Sequence, residues 1–178
     1  MYQSPPPNTT VLCLDEMGVI GARTYPTTRL TPKGQRPPVA PDYGGRGYTW
    51  VFGAFEPATG QVLTRTAHRR DTAAFLDLLD QLIHTWPVGD LVLILDNLSI
   101  HKTLDVRLWA LAHPRVAFLF MPTYSPWLNL IEPWWKTLRA LALKGRCFDE
   151  VAQLRSALEL ATAYWNNHPK PYHWRKSA

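Results

Sequence analysis

Cysteine is scarce in this chain: Cys13 and Cys147 are the two among 178 residues. They lie far apart, Cys13 inside an apolar run, and fit reduced thiols of a reducing compartment rather than a disulfide framework. Neither belongs to a CxxC pair and the six histidines show no HxxxH spacing, which excludes the usual zinc-ligand patterns. No apolar run approaches the ~18 residues that a membrane-spanning helix needs. The start, Met1 to Pro7, has neither the basic head nor the apolar stretch of a signal peptide. These absences predict a soluble, cytoplasmic protein with no membrane partner. Acidic residues are the minority, 14 against 19 Lys and Arg, for a net charge of +5 and a pI near 9.4. That balance permits a polyanionic partner without requiring one.

What is present is a substantial core: 46% hydrophobic residues, 12% aromatic, eight tryptophans. The length fits one domain. Residues 1–10 read as a proline-rich, flexible lead and residues 11–178 as a single domain, with no internal repeat and no dividing linker. Two stretches share a pattern, an apolar strand running into acid: Thr10 to Leu14 before Asp15 and Glu16, and Leu91 to Leu95 before Asp96. Residues 17–47, rich in Gly, Pro and Thr, read as a hairpin or long loop that carries Lys33 and Arg36 toward a partner. Tyr48 to Phe55 and Gln61 to Thr66 flank a Pro-Ala-Thr-Gly turn and read as two antiparallel strands. From Asp71, the residues Phe75, Leu78, Leu79, Leu82, Ile83 and Trp86 recur at helical spacing until Pro87. A shorter helix over Leu104 to Ala112 leads to another buried strand, Val116 to Met121, and residues 149–167 are helical again. The order predicts an α/β fold, a mixed five-stranded sheet with helices on both faces.

If the strands ending in Asp15 and Asp96 are parallel neighbours, their ends lie ~4.8 Å apart, close enough for both acids to share a cation. Asp96 is open to a second reading, a cap or turn residue before the next helix. A third acid, Glu132, sits beside Pro133, which is tolerated only in a first helical turn. On such a helix Asn129, Glu132, Lys136 and Arg139 would share a face, and Ile131, Trp135, Leu138 and Ala142 the packed one. That stripe suits a phosphate backbone passing a metal, or equally an acid complementing the helix dipole on a solvated face. Three hard oxygen ligands suit Mg²⁺, with Mn²⁺ as a substitute. Two ions about 3.5 to 4 Å apart would serve an in-line displacement at phosphorus, Asp15 bridging them and Asp96 and Glu132 each holding one side.

The succession Leu14-Asp-Glu16, then Asp96-Asn-Leu-Ser-Ile-His101, then Tyr124-Ser-Pro-Trp-Leu-Asn-Leu-Ile-Glu132 resembles the catalytic domain of DDE transposases of the mariner superfamily, in their bacterial insertion-sequence branch. Thirty-five residues, 97 to 131, lie between the second and third acids, close to the spacing typical of such enzymes. The segment Pro32 to Pro37 resembles the family's basic hairpin, and the similarity runs from about Val11 to Trp174. The resemblance implies a ribonuclease H-like fold and Mg²⁺-dependent cleavage of DNA at element ends, followed by attack of the freed 3′-hydroxyl on target DNA. It makes Asp15, Asp96 and Glu132 the metal-binding triad. Asn97 and His101 would orient Asp96, approach the scissile phosphate or simply cap and pack the helix start. Ser125 and Asn129 would shape the pre-helix turn or touch DNA, and Lys33, Arg36, Lys136 and Arg139 would bind DNA.

Leu130 stands where relatives usually carry proline, and Pro133 directly after the glutamate allows a helix that starts later. The family's helix-turn-helix region has no counterpart before Val11, so an upstream-encoded half of the same element is an expected partner, beside DNA and a second copy in a homodimer. In the cell the protein would associate with the nucleoid when bound to DNA. The alternatives are a stand-alone metal-dependent nuclease and an inactive DNA-binding or oligomerising remnant.

Overall fold

Alternation builds the centre of the sheet. In β1, Thr9–Gly21, Leu12 and Leu14 face one side and Cys13 and Met17 the other, all buried. Both faces of this strand are therefore apolar and both need a cover. The structure is a computed structural model that describes residues 2, 5–27, 42, 44–123 and 125–172. After β1 come β2 (Tyr48–Phe55), β3 (Val62–Ala67), α1 (Thr72–Thr85), β4 (Asp90–Leu95), α2 (Leu104–Ala112), β5 (Val116–Phe120), α3 (Glu132–Ala142) and α4 (Val151–Asn166). The sheet order is β3-β2-β1-β4-β5. The hairpin strands are antiparallel and β1, β4 and β5 run parallel. Among the described residues no helix is long and apolar enough to cross a membrane.

One cover is α1, whose Phe75, Leu78, Leu79 and Leu82 pack with Val106 of α2 against Leu12, Leu14, Phe52, Leu91, Leu93 and Leu95. Asp71 caps α1, its carboxylate accepting the Ala74 backbone N–H at 3.0 Å. The other cover is α3 with α4. Their Trp134, Trp135, Leu138, Leu154 and Leu158 pack against Cys13, Met17, Val51 and Phe55. Tyr2, in the proline-rich lead, reaches this region and donates its hydroxyl to the Leu128 carbonyl at 2.8 Å.

Three expectations need correction. β1 does not end at its acids: pairing with β4 stops at Cys13↔Ile94, but β2 continues alongside to Gly21↔Tyr48. Met17 and Ile20 resume the buried pattern beyond them, so Asp15 and Glu16 lie mid-strand and point to opposite faces. Second, β5 is an edge strand rather than a buried one, with Ala117, Leu119 and Phe120 exposed, because the sheet stops there. Third, α3 begins at Glu132 itself with Pro133 in its first turn, so the helix does not start late. Proline's missing N–H costs nothing at that position.

Candidate active site

Asp15 lies opposite Gly53 of β2 on the face covered by α3. That glycine is a packing requirement: a Cβ there would run into the Trp135 ring and stand 3.0 Å from the Ile131 side chain. The bare backbone lets Trp135 lie over the sheet, where its indole N–H donates to Asp15 Oδ2 at 3.0 Å. Burial pushes the Asp15 carboxyl up to about 7. The Trp135 hydrogen bond opposes this, and the charges of Glu16 and Glu132 add to it. Asp15 has no cationic partner among the described residues.

Asp96 follows the last residue of β4. Asp15 and Asp96 each lie two residues beyond Cys13↔Ile94, the last pair of the β1–β4 ladder. Its side chain is 49% exposed. Oδ1 accepts the Leu98 backbone N–H at 2.9 Å and lies 3.1 Å from His101 Nδ1. Asp96 also lines a cleft of about 330 Å³ with Asn97, Leu98, Met121, Pro122, Thr123 and Ser125. Within it Asn97 donates to the Met121 carbonyl at 2.6 Å and accepts Lys102 Nζ at 2.6 Å, tying the end of β4 to the end of β5.

His101 stands in the short helical turn Ser99–Lys102 and is 2% exposed. Its Nε2 meets Glu16 Oε1 at 2.8 Å, and its ring packs on Phe75 with centroids 4.4 Å apart. Burial lowers its pKa, but the hydrogen bond to Glu16 and the charges of Glu16 and Asp96 outweigh that and the net direction is upward. Glu16 was not singled out in the sequence. The signal was there in strand alternation, which sends an acid next to Asp15 into the apolar α1 face, where it needs a donor.

Glu132 is exposed at the start of α3, and its charge reaches Asp15. Lys136 and Arg139, one and two turns along, are exposed on the same stripe. Asn129 departs from that expected face. It precedes α3, is 4% exposed, and donates to the Leu14 carbonyl at 2.8 Å, pinning the pre-helix turn onto β1 beside Asp15. Lys33 and Arg36 lie outside the described residues.

Among the described residues no three carboxylates, imidazoles or thiols converge into a ready ion cage. The donors nonetheless suit a hard divalent cation. Among the described residues Asp15 is a partly buried carboxyl without a countercharge, Asp96 follows the end of the neighbouring parallel strand, and Glu132 is close enough to raise the Asp15 pKa.

A family model described as DDE superfamily endonuclease matches residues 10–155. The chain belongs to that family. This DDE domain is 31% identical over 106 residues to the insertion element IS630 uncharacterized 39 kDa protein of Shigella sonnei, an alignment covering 59% of this chain and 31% of that protein. Its fold matches the Mos1 transposase paired-end complex with left transposon end at a TM-score of 0.64 and 16% identity, over 96% of this chain and 51% of the other. It also matches the catalytic core domain of BIV integrase at 0.59 and 14%, over 90% and 86%. The fold is ribonuclease H-like, as the motifs implied. The DDE domain spans under a third of the Shigella relative and about half of the Mos1 chain.

Proposed function

We propose that this domain cleaves DNA strands at the ends of a mobile element and joins the freed 3′-hydroxyl to target DNA, with Asp15, Asp96 and Glu132 as its metal-binding triad. What supports the reading is that Asp15, a partly buried carboxyl with a raised pKa, and Asp96 each lie two residues beyond Cys13↔Ile94, the last pair of the parallel β1–β4 ladder. Two Mg²⁺ ions, or Mn²⁺ in their place, would activate the attacking oxygen and steady the leaving oxygen of an in-line displacement. Asp15, Asp96 and Glu132 would be the residues that hold these ions. Trp135 keeps one Asp15 oxygen fixed. Asn129 holds the turn that delivers Glu132, while Lys136 and Arg139 meet the phosphate backbone along the exposed stripe of α3, joined by Lys33 and Arg36. Asn97 and Ser125 border the cleft beside Asp96 where a scissile strand would lie.

Residues 11–178 act as the catalytic part of a two-copy assembly on DNA, in the cytoplasm at the nucleoid. The test uses labelled duplex DNA and an oligonucleotide with a free 3′-hydroxyl. The expected outcome is nicking that needs Mg²⁺ or Mn²⁺, stops on chelation and disappears in a folded Asp96→Ala protein, together with joined product. Nicking without joining indicates the stand-alone nuclease. DNA binding without any metal-dependent cleavage indicates the inactive remnant and sinks the proposal.

A further inference from the structure

Glu16 has no part in the triad, yet its side chain is enclosed. Its side chain is 4% exposed and that of its partner His101 is 1% exposed. It occupies the face of β1 that otherwise carries Leu12 and Leu14, packed on Phe75. A leucine would suit that face, and replacing buried ion pairs by apolar residues is often neutral or stabilising. Packing therefore gives no reason for an acid there. The hydrogen bonds give one. His101 has two ring nitrogens: Nε2 is engaged by Glu16 at 2.8 Å, which leaves Nδ1 directed at Asp96, 3.1 Å from Oδ1 and 3.3 Å from its backbone carbonyl. The Leu98 N–H holds the same Oδ1, so one oxygen of Asp96 is gripped at two points. Among the described residues no hydrogen bond is made to the other oxygen.

We propose that Glu16, acting through His101, is the positioning residue that fixes the Asp96 carboxylate with Oδ1 held and Oδ2 presented to the reaction centre. This rests on the reading of Asp96 as a metal ligand. Outer partners of metal ligands are typically worth about 10–100-fold in metal affinity or activity. A merely structural Glu16 would leave metal binding untouched once the variant is folded.

The experiment measures Mn²⁺ binding by electron paramagnetic resonance, thermal stability, and the kcat and KM of nicking. It compares wild type, Asp96→Asn, Glu16→Leu and Glu16→Gln. Glu16→Leu, which leaves the buried His101 Nε2 without its partner, is expected to melt below the wild-type temperature and, measured while folded, to bind Mn²⁺ about 10-fold more weakly and to lose about 10–100-fold in kcat with KM for DNA unchanged. Glu16→Gln, which keeps an acceptor oxygen for His101, is expected to recover Mn²⁺ binding to within about 3-fold of wild type, the smaller residual of a positioning change. If Glu16→Leu does not fold, His101→Gln takes its place: it removes the ring nitrogen that faces Asp96 and is expected to show the same weakened Mn²⁺ binding. Wild-type Mn²⁺ binding in the folded Glu16→Leu or His101→Gln protein, while Asp96→Asn has lost it, overturns this inference alone. Wild-type binding in Asp96→Asn overturns the triad reading and this inference with it.

Discussion

Asp15→Asn is expected to stabilise the metal-free protein and to abolish its activity. In the folded chain the Asp15 carboxyl titrates at about 7 against an ordinary value of 3.8, chiefly because it is buried. The sign follows from linkage. The unfolded chain gives up this proton first, so the group opposes folding progressively as pH rises from about 4 to about 7 and by a constant amount above that. About 1.4 kcal/mol per pKa unit makes the penalty a few kcal/mol at pH 8 in a metal chelator. Asparagine removes the charge and keeps an oxygen for the Trp135 indole. Differential scanning fluorimetry in chelator at pH 8 should show Asp15→Asn melting ~6–12 °C above wild type, at roughly 2–4 °C per kcal/mol for a chain of this size. The gap should close toward pH 4. Added Mn²⁺ should stabilise wild type and leave the variant unmoved. Nicking should fall by ~10³-fold or more, since several kcal/mol of transition-state stabilisation go with the lost ligand.

The second large effect is expected from one methyl group. Gly53→Ala places a Cβ against the Trp135 ring and the Ile131 side chain, both deeply buried at the start of α3. The helix must lift or the indole must turn. Either movement strains a packed core, which costs about 1–3 kcal/mol, and loosens the bond to Asp15. Urea denaturation should report that loss. Nicking measured well below the denaturation midpoint should fall by about 10²-fold, because a small misplacement of a positioned ligand is that costly. The two effects are separable: a variant such as Leu158→Ala, at a fully buried α4 position, should destabilise by about 2–5 kcal/mol and leave nicking at wild-type level while folded.

The parts of this architecture governed by local pattern were legible in the sequence. The apolar run ending at Leu95 gave β4, and the apolar spacing from Phe75 to Trp86 gave α1 between Asp71 and Pro87. Parallel pairing of β1 with β4, a condition in the sequence for Asp15 and Asp96 to share a cation, is present as far as Cys13↔Ile94. Where two elements compete for a residue, the pattern was silent. β1 runs past its acids because β2 still pairs with it after β4 has left, a matter of sheet assembly that the residues 15–21 do not encode alone. Leu119 and Phe120 read as core although β5 is the last strand and one side of it is open. Asn129 falls at helical spacing from Glu132 but precedes the helix, and a carbonyl on β1, 115 residues away in the chain, decides its direction. The Glu16–His101 pair joins residues 85 positions apart. Alternation along β1 supplies half of that contact, and the turn after Asp96 supplies the rest.

Asp15, Asp96 and Glu132 are proposed to hold divalent ions together. The most direct test is an electron paramagnetic resonance titration of Mn²⁺ into the chain at pH 8, comparing wild type with the single variants Asp15→Asn, Asp96→Asn and Glu132→Gln. The account predicts loss of free-ion signal for wild type, and about 10-fold or more weakening in each variant while each stays folded. Equal binding by all four proteins, or none by wild type, would contradict it.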